Sequence, residues 1–304
     1  MTIGPVLVIG EALVDVVRPA GGGSFEAPGG SPLNVAVALS RLGVDTSLLT
    51  ALAIDARTDS IVDHLTRSGV ALVEGARRLP RTSTATAVLR ADGSAAYEFD
   101  LAWDPTPHVG PSARVVHAGS LALFLQPGEA LVRQRLEERA GTAMISLDPN
   151  IRPTLLPHLR VARRGFERLL RLANVVKLSN EDLAWLYPHV AERDAVRRLL
   201  DAGPSLVVVT RGAEGCALAS GAAQVDVAAV PTEVVDTIGA GDSFMAGLLW
   251  QVLVSDLVDD LTGGRSLSPG DLADLGVAAA RVAAITVSRS GADPPWLAEL
   301  SERA

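Results

Sequence analysis

One glycine-rich segment, DTIGAGDSF from Asp236 onward, has residue types and spacing that can support phosphate chemistry. Gly239, Ala240 and Gly241 stand directly before an apolar stretch that predicts a helix. The first N–H groups of a helix have no intrahelical partner and carry partial positive charge, so they can bind an anion. Asp242 follows in the first turn, where it can accept a proton from a hydroxyl that attacks a bound phosphate. A glycine turn whose acid is merely favoured by the helix dipole is the structural alternative.

A second segment, PGGSPLNVAVALSRLG over 28–43, also predicts a close backbone approach followed by a helix. Gly30 precedes the helix, Ser31 is predicted as its N-cap and Pro32 as its first residue. Asn34 offers both donors and acceptors, which suits a ligand with several hydroxyls. An ordinary capped helix is the alternative interpretation.

Three charged residues occur where apolar strands are predicted. Asp15 lies inside the run Ala12–Val17, and a buried acid needs partners. Arg152 follows a strand end, the place where open parallel sheets bind their ligands. Lys177, the single lysine beside 26 arginines, lies near the end of another strand. It can serve as a compact cation for a nucleotide phosphate, with a snorkelling or surface position as the alternative.

Apolar runs alternate with helical patterns along most of the chain, which predicts an α/β fold with a mostly parallel sheet. The predicted strands are Val6–Ile9, Ala12–Val17, Thr46–Leu52, Val115–Ala118, Ala143–Leu147, Asn174–Leu178 and Leu206–Thr210, and the main predicted helices follow Ser31 and cover 55–68, 240–253 and 272–287. Thr84–Arg90 and Ala95–Leu101 flank Asp92-Gly93, a hairpin signal that interrupts this rhythm. We therefore expect a hairpin outside the main sheet.

Composition excludes several classes of protein. The chain has 304 residues, with 27 Lys and Arg against 35 Asp and Glu, so its net charge of −8 argues against general nucleic-acid binding. No stretch approaches the roughly 18 apolar residues of a membrane span. Cys216 is the single cysteine, which leaves no disulfide framework or cysteine-based zinc site. Without a signal-peptide pattern at the N-terminus, we expect a cytoplasmic protein.

Together these segments resemble the PfkB (ribokinase-like) carbohydrate kinase family, and within it the fructokinases. The resemblance rests on GEALVD at 10–15, the two glycine-rich segments, GSLAL at 119–123, LDPNIRP at 147–153, VVKLSNEDL at 175–183 and VVVTRGAEG at 207–215. It implies a ribokinase-like three-layer sandwich with a central, mostly parallel sheet. It also implies a single domain over 1–304, into which a small β-sheet lid from about 11–30 and 82–105 is inserted.

The resemblance implies a role for each matching residue. Asp15, Gly30 and Asn34 would bind sugar hydroxyls and Arg152 would face the substrate. Asp242 would be the general base, and Gly239, Ala240 and Gly241 the anion hole for the γ-phosphate. Thr210 and Gly212 would line the nucleotide site, with Gly241 and Lys177 beside them. Asp236 and Ile238 match a loop that binds a monovalent cation such as K⁺.

Two regions depart from the family pattern. Many members carry an N-x-x-E motif that organises magnesium and phosphates, but the matching positions here hold Ser179 and Asp182. Asp182 or Glu181 would then act on Mg²⁺ through water. The lid sequence around 81–87 and 97–100 is only broadly fructokinase-like, and sugar choice in this family depends on the lid.

The implied activity is ATP- and Mg²⁺-dependent phosphorylation of a sugar hydroxyl, with fructose as the first expected sugar. 2-Keto-3-deoxygluconate kinase and ribokinase are alternatives within the fold. A non-catalytic regulator that responds to sugar or nucleotide is an alternative from another class, although it would be expected to have lost Asp242. The absence of GxGxxG after the first strand and of GxxxxGK[ST] disfavours a dinucleotide enzyme and a P-loop kinase. The lid can also pair edge to edge with a second copy, which would give a homodimer.

Overall fold

A computed structural model of the chain describes residues 3–19, 21–89, 95–108, 110–156 and 158–301. Its strands, in chain order, are β1 (Ile3–Ile9), β2 (Leu13–Arg18), β3 (Phe25–Gly29), β4 (Val44–Leu49), β5 (Ala71–Leu72), β6 (Thr84–Leu89), β7 (Ala95–Asp100), β8 (Val115–Gly119), β9 (Met144–Asp148), β10 (Val175–Ser179), β11 (Leu206–Thr210), β12 (Cys216–Ser220) and β13 (Ala223–Val227). Every predicted strand is present, and the predicted and observed bounds agree to within three residues. The β12–β13 hairpin was not predicted.

Within the described residues, nine strands form one sheet in the order β13-β12-β11-β10-β9-β8-β1-β4-β5. Pairing is parallel from β11 through to β5, and β12 and β13 run antiparallel at one edge. The chain builds outward from β1 through β4 to β5, and then returns to β8 on the other side of β1. Ligands of open α/β sheets bind at such a reversal, beyond the carboxyl ends of the strands.

Helices cover both faces of this sheet and complete three layers. They are α1 (Ser31–Arg41), α2 (Ala56–Arg67), α3 (Gly128–Arg139), α4 (Leu159–Leu170), α5 (Asn180–Leu186), α6 (Glu192–Ala202), α7 (Ala240–Val254), α8 (Val258–Thr262), α9 (Pro269–Val287) and α10 (Leu297–Ser301). Alternate residues of β1 enter two cores: Val6 and Val8 pack with α1, α7 and α9, whereas Leu7 and Ile9 pack with α3 to α6. The predicted three-layer α/β architecture is confirmed.

A second sheet of four strands, here called the lid, has the order β3-β2-β6-β7. The outer pairs are antiparallel, whereas β2 and β6 run parallel. The predicted association of Ala12–Val17 with the 84–101 hairpin is confirmed, and Phe25–Gly29 adds a strand that was not predicted. The predicted Asp92-Gly93 turn lies outside the described residues. In the described part of the chain, no helix combines the length and apolar character needed to cross a bilayer.

Candidate active site

The start of α7 fixes the backbone N–H groups of 239–241 in position, and the Ala240 N–H already donates a 3.3 Å hydrogen bond to the Thr237 carbonyl oxygen. Gly239 precedes the helix with φ +74°, and a Cβ there would lie 2.7 Å from the Cβ of Ala292, so the position requires glycine. Ala240 is the first residue of the helix. At Gly241 a Cβ would lie 3.1 Å from the Lys177 Nζ, which places that ammonium beside the helix start. The helix dipole and the ammonium therefore put positive potential at the same point.

Asp242 is held by two side chains from the first turn of α1. Its Oδ1 accepts a 2.6 Å hydrogen bond from the Ser31 hydroxyl, and its Oδ2 accepts a 2.8 Å bond from the Asn34 amide. All three side chains are buried. The prediction that Ser31 caps α1 is wrong: Gly30, with φ +105°, is the N-cap, and no side chain caps the helix. The Ser31 hydroxyl bonds to the acid of α7 instead.

Asp15 approaches the same acid from the lid. It lies on β2 and packs over Gly29, where a Cβ would come 2.0 Å from its Oδ2. Burial and the negative charge of Asp242 raise the pKa of Asp15 to about 6, against the opposing charge of Arg152. The sequence prediction placed Asp15, Gly30, Asn34 and Asp242 together, and the structure brings them to one place.

A cavity of about 390 Å³ opens on the other side of the α7 start. Six residues of the predicted nucleotide, metal and substrate sets line it: Arg152, Lys177, Asp182, Thr210, Gly212 and Gly241. Asn180, Glu181 and Trp185 from α5 also line it; Glu181 was the alternative acid for Mg²⁺, whereas no sequence pattern singled out Trp185. The cavity lies at the carboxyl ends of β9, β10 and β11, the edge that topology favours for ligands.

Lys177 forms a buried ion pair with Asp148 of β9. Its Nζ lies 2.8 Å from the Asp148 Oδ2, and the two side chains are 5% and 1% exposed. Burial opposes the charge of Lys177, but the negative charges of Asp148, Asp182 and Asp242 outweigh it and raise its pKa. Burial raises the pKa of Asp148 to about 6, and the positive charge and hydrogen bond of Lys177 act against that rise. This burial excludes the alternative surface position for Lys177.

Both carboxylate oxygens of Asp182 accept hydrogen bonds from backbone N–H groups. Its Oδ2 accepts from the Ser179 N–H at 3.0 Å in a reciprocal capping box, and its Oδ1 accepts from the Ile151 N–H at 2.8 Å. Within the described residues, no group of three His, Cys, Asp or Glu side chains is arranged to hold a metal ion. Because both Asp182 oxygens already accept hydrogen bonds from backbone N–H groups, Asp182 fits a contact with Mg²⁺ through water better than direct coordination.

Asp236 joins two loops behind the α7 start. One oxygen accepts from the Ile238 N–H at 3.0 Å, and the other accepts from the Gly291 N–H at 2.9 Å. The Ile238 side chain is exposed, so carbonyl groups would be the ligands that this loop offers a cation. A monovalent cation here stays a prediction.

Glu11 is a buried acid that the sequence analysis did not assign. It follows β1 after Gly10, its side chain accepts a 3.2 Å hydrogen bond from the Ala122 N–H, and the Ser120 side chain lowers its pKa. Burial, with a further contribution from the charge of Asp242, raises its pKa to about 7. The available signal was an acid at the end of an apolar strand, as at Asp15.

Glu11 gives a pH-dependent stability. Its pKa is about 7 in the fold and 4.5 ordinarily, so its stabilising contribution is complete below pH 4.5 and is lost as pH rises through 7. The Glu11→Gln side chain cannot ionise. As pH rises from acid to mildly alkaline, we expect the unfolding free energy of this variant to increase by up to about 3 kcal/mol relative to that of the parent. Denaturant unfolding at several pH values measures this difference. Glu137→Gln, an exposed control on α3, should follow the parent, and parallel curves for Glu11→Gln would contradict the assignment.

The model of the pfkB family of carbohydrate kinases matches residues 5–299. A fructokinase from Rhizobium leguminosarum bv. trifolii is 34% identical over 270 residues, which cover 83% of this chain and 81% of that protein. A fructokinase from Klebsiella pneumoniae is 32% identical, covering 85% and 87%. The crystal structure of Vibrio cholerae O395 fructokinase with fructose, ADP and calcium superposes with a TM-score of 0.83 at 26% identity, over 99% of each chain. The chain therefore belongs to the pfkB family of carbohydrate kinases, as its two glycine-rich segments predicted.

Proposed function

We propose that this carbohydrate kinase transfers the γ-phosphoryl group of ATP to a hydroxyl of a neutral sugar, with fructose as the preferred acceptor. One observation carries the proposal: the Asp242 carboxylate, held by Ser31 and Asn34, lies in the first turn of α7 beside the backbone N–H groups that begin the helix. An acid and an anion site at one point are what phosphoryl transfer to a hydroxyl requires. Fructokinases among the relatives, and the fructose and ADP bound in the Vibrio enzyme, support this choice.

Asp242 is proposed to act as the general base. Each of its oxygens accepts one hydrogen bond, so a lone pair remains for a sugar hydroxyl. As the hydroxyl oxygen attacks the γ-phosphorus in line, its proton passes to Asp242 and the bond from phosphorus to the ADP oxygen breaks. The N–H groups at 239–241 and the Lys177 ammonium would stabilise the charge on the transferring group.

The nucleotide is proposed to occupy the cavity beside Lys177, with Thr210 and Gly212 lining its far side. Mg²⁺ would neutralise phosphate charge and contact Asp182 through water. We further propose a K⁺ ion at the Asp236–Ile238 loop. The lid is proposed to be a closing element inserted in a single domain. A homodimer through the lid and a cytoplasmic location are also proposed. The intact base and its hydrogen bonds favour catalysis over a purely regulatory role.

Charge at the acceptor end favours a neutral sugar. Asp15 and Asp242 interact there strongly enough for one to raise the pKa of the other, and Arg152 is the cation that opposes them. Carboxylates accept hydrogen bonds from sugar hydroxyls but repel the carboxylate of a sugar acid. This arrangement favours fructose over 2-keto-3-deoxygluconate, whereas charge alone does not separate fructose from ribose.

An acceptor panel with an Asp15 variant tests this proposal. We expect fructose to give the highest kcat/KM among fructose, ribose, 2-keto-3-deoxygluconate and nucleosides in a coupled ADP-release assay. Asp15→Asn should lower kcat/KM for fructose by about 10–100-fold, because a charged acceptor of sugar hydroxyls is lost. The same variant should lower the ratio of kcat/KM for fructose to kcat/KM for 2-keto-3-deoxygluconate.

Glu98→Gln is the matched control, because it removes an exposed acid from the same small sheet. It should leave fructose kinetics unchanged. A parent enzyme that prefers the sugar acid would contradict the proposed substrate class. An Asp15→Asn variant with the parental kcat/KM would remove Asp15 from the acceptor site.

A further inference from the structure

We propose that Glu11 is a positioning residue for phosphoryl transfer: its buried carboxyl braces the turn at 119–123 against the end of β1 and so keeps α1 aligned on Asp242. The inference rests on the proposed function for its catalytic readout. Its structural readout is independent of that function.

Glu11 connects the two strands at which the sheet reverses its direction of growth. It follows β1, and its side chain reaches the turn that follows the neighbouring strand β8. The Ala122 N–H donates a 3.2 Å hydrogen bond to it, the Ser120 side chain is close enough to lower its pKa, and the residue is only 6% exposed. A buried acceptor that holds a backbone donor of the turn restrains that turn.

The turn needs such a restraint because of its backbone conformation. Ser120 has φ +57°, in the left-handed region that residues with a side chain rarely occupy. A conformation of this kind persists only where surrounding contacts enforce it, and it is found more often at functional sites. The Glu11 carboxyl is the contact that can enforce it here.

Packing transmits the position of this turn to α1. Gly10 lies between the two, because a Cβ at that position would be 2.2 Å from the Pro32 Cγ and 3.5 Å from the Ala122 Cβ. A Cβ at Gly30 would be 2.8 Å from the Glu11 carbonyl oxygen. The first turn of α1 is therefore tightly packed against Gly10 and the backbone of Glu11.

Ser31 and Asn34, in that first turn, hold the two oxygens of Asp242. If the turn relaxes at Ser120, Ala122 would no longer pack firmly against Gly10. The first turn of α1, which packs on the other side of Gly10, would then be less firmly positioned. The consequence is a misaligned carboxylate, which lowers kcat, whereas the nucleotide cavity on the other side of α7 keeps its residues. Small displacements of a catalytic group cost large factors in rate.

The test combines removal of the carboxyl with relief of the backbone strain. We expect Glu11→Ala to lower kcat by about 10–100-fold with less than a roughly threefold change in KM for ATP. Glu11→Gln should retain more activity, because its amide oxygen still accepts from the Ala122 N–H. Adding Ser120→Gly to Glu11→Ala should restore part of kcat, because glycine adopts φ +57° without strain.

Amide hydrogen exchange over 119–123 provides the readout that needs no activity. Exchange should accelerate in Glu11→Ala and slow again in the double variant, while the exposed control Glu137→Ala should match the parent in exchange and kcat. The proposal would be overturned if Glu11→Ala kept the parental kcat and the parental exchange rate. It would also be overturned if the double variant were no more active and no better protected from exchange than Glu11→Ala. A parent enzyme inactive on every sugar would refute the proposed function. The exchange data would still show whether Glu11 restrains the turn at 119–123.

Discussion

Asp242→Asn is expected to lower kcat for sugar phosphorylation by about 10²–10⁴-fold, the usual loss when a general base is removed. The new amide can direct its oxygen toward the Asn34 amide and its nitrogen toward the Ser31 hydroxyl, so both existing contacts have a partner. Shape and packing are thereby kept, and the loss falls on proton transfer. Steady-state kinetics and sugar binding by calorimetry measure the two effects separately.

Sugar affinity should change little in this variant, because the other proposed acceptor contacts remain in place. Asp256→Asn is the matched control: its carboxylate is exposed after the far end of α7 and pairs with Arg114. We expect it to retain parental kcat. Near-parental turnover in Asp242→Asn would refute the assignment of Asp242 as the base.

Lys177→Met is expected to have the second largest effect, on both stability and turnover. It leaves Asp148 buried and unpaired, which typically costs about 3–5 kcal/mol of unfolding free energy. It also removes the ammonium beside Gly241, so kcat/KM for ATP should fall by about 10²-fold or more. Thermal unfolding and ATP kinetics at saturating sugar give the two readouts.

A double variant separates the structural and phosphate roles of Lys177. Lys177→Met with Asp148→Asn removes both charges, so stability should recover in large part whereas turnover should not. Lys177→Arg keeps the charge but places a wider, planar group where a Cβ on Gly241 would already meet the ammonium at 3.1 Å, so it should also lose turnover. Recovery of turnover in the double variant would reduce Lys177 to a structural partner of Asp148.

The pattern of the sequence was sufficient to predict the layered fold. In β1 and β11 an unbroken apolar run predicts a strand covered on both faces, and the structure buries the runs 6–9 and 206–209. The glycines before α1 and α7 predicted close backbone approaches, and both glycines adopt positive φ. Backbone conformation and the pattern of apolar residues are local properties of the chain, which is why short segments report them.

The sequence also predicted which side chains gather at the α7 start. Asp15, Asn34 and Asp242 were assigned to one site through the order of motifs that the family shares. Each of them is a polar group in or next to an apolar element, and such groups are buried only where they have partners. Residue type and position therefore indicated a site, without specifying which atoms meet.

The tertiary structure alone decided the partners. Ser31 and Asp242 are 211 residues apart, and the local pattern assigned that hydroxyl to a helix cap. Lys177 meets Asp148 because β9 and β10 are neighbours in the sheet, and Glu11 meets the Ala122 N–H because β8 lies next to β1. Strand order and helix packing bring these groups together, and they result from the burial of the whole core, so a single sequence segment determines which residues are polar and buried but not which ones bond to each other.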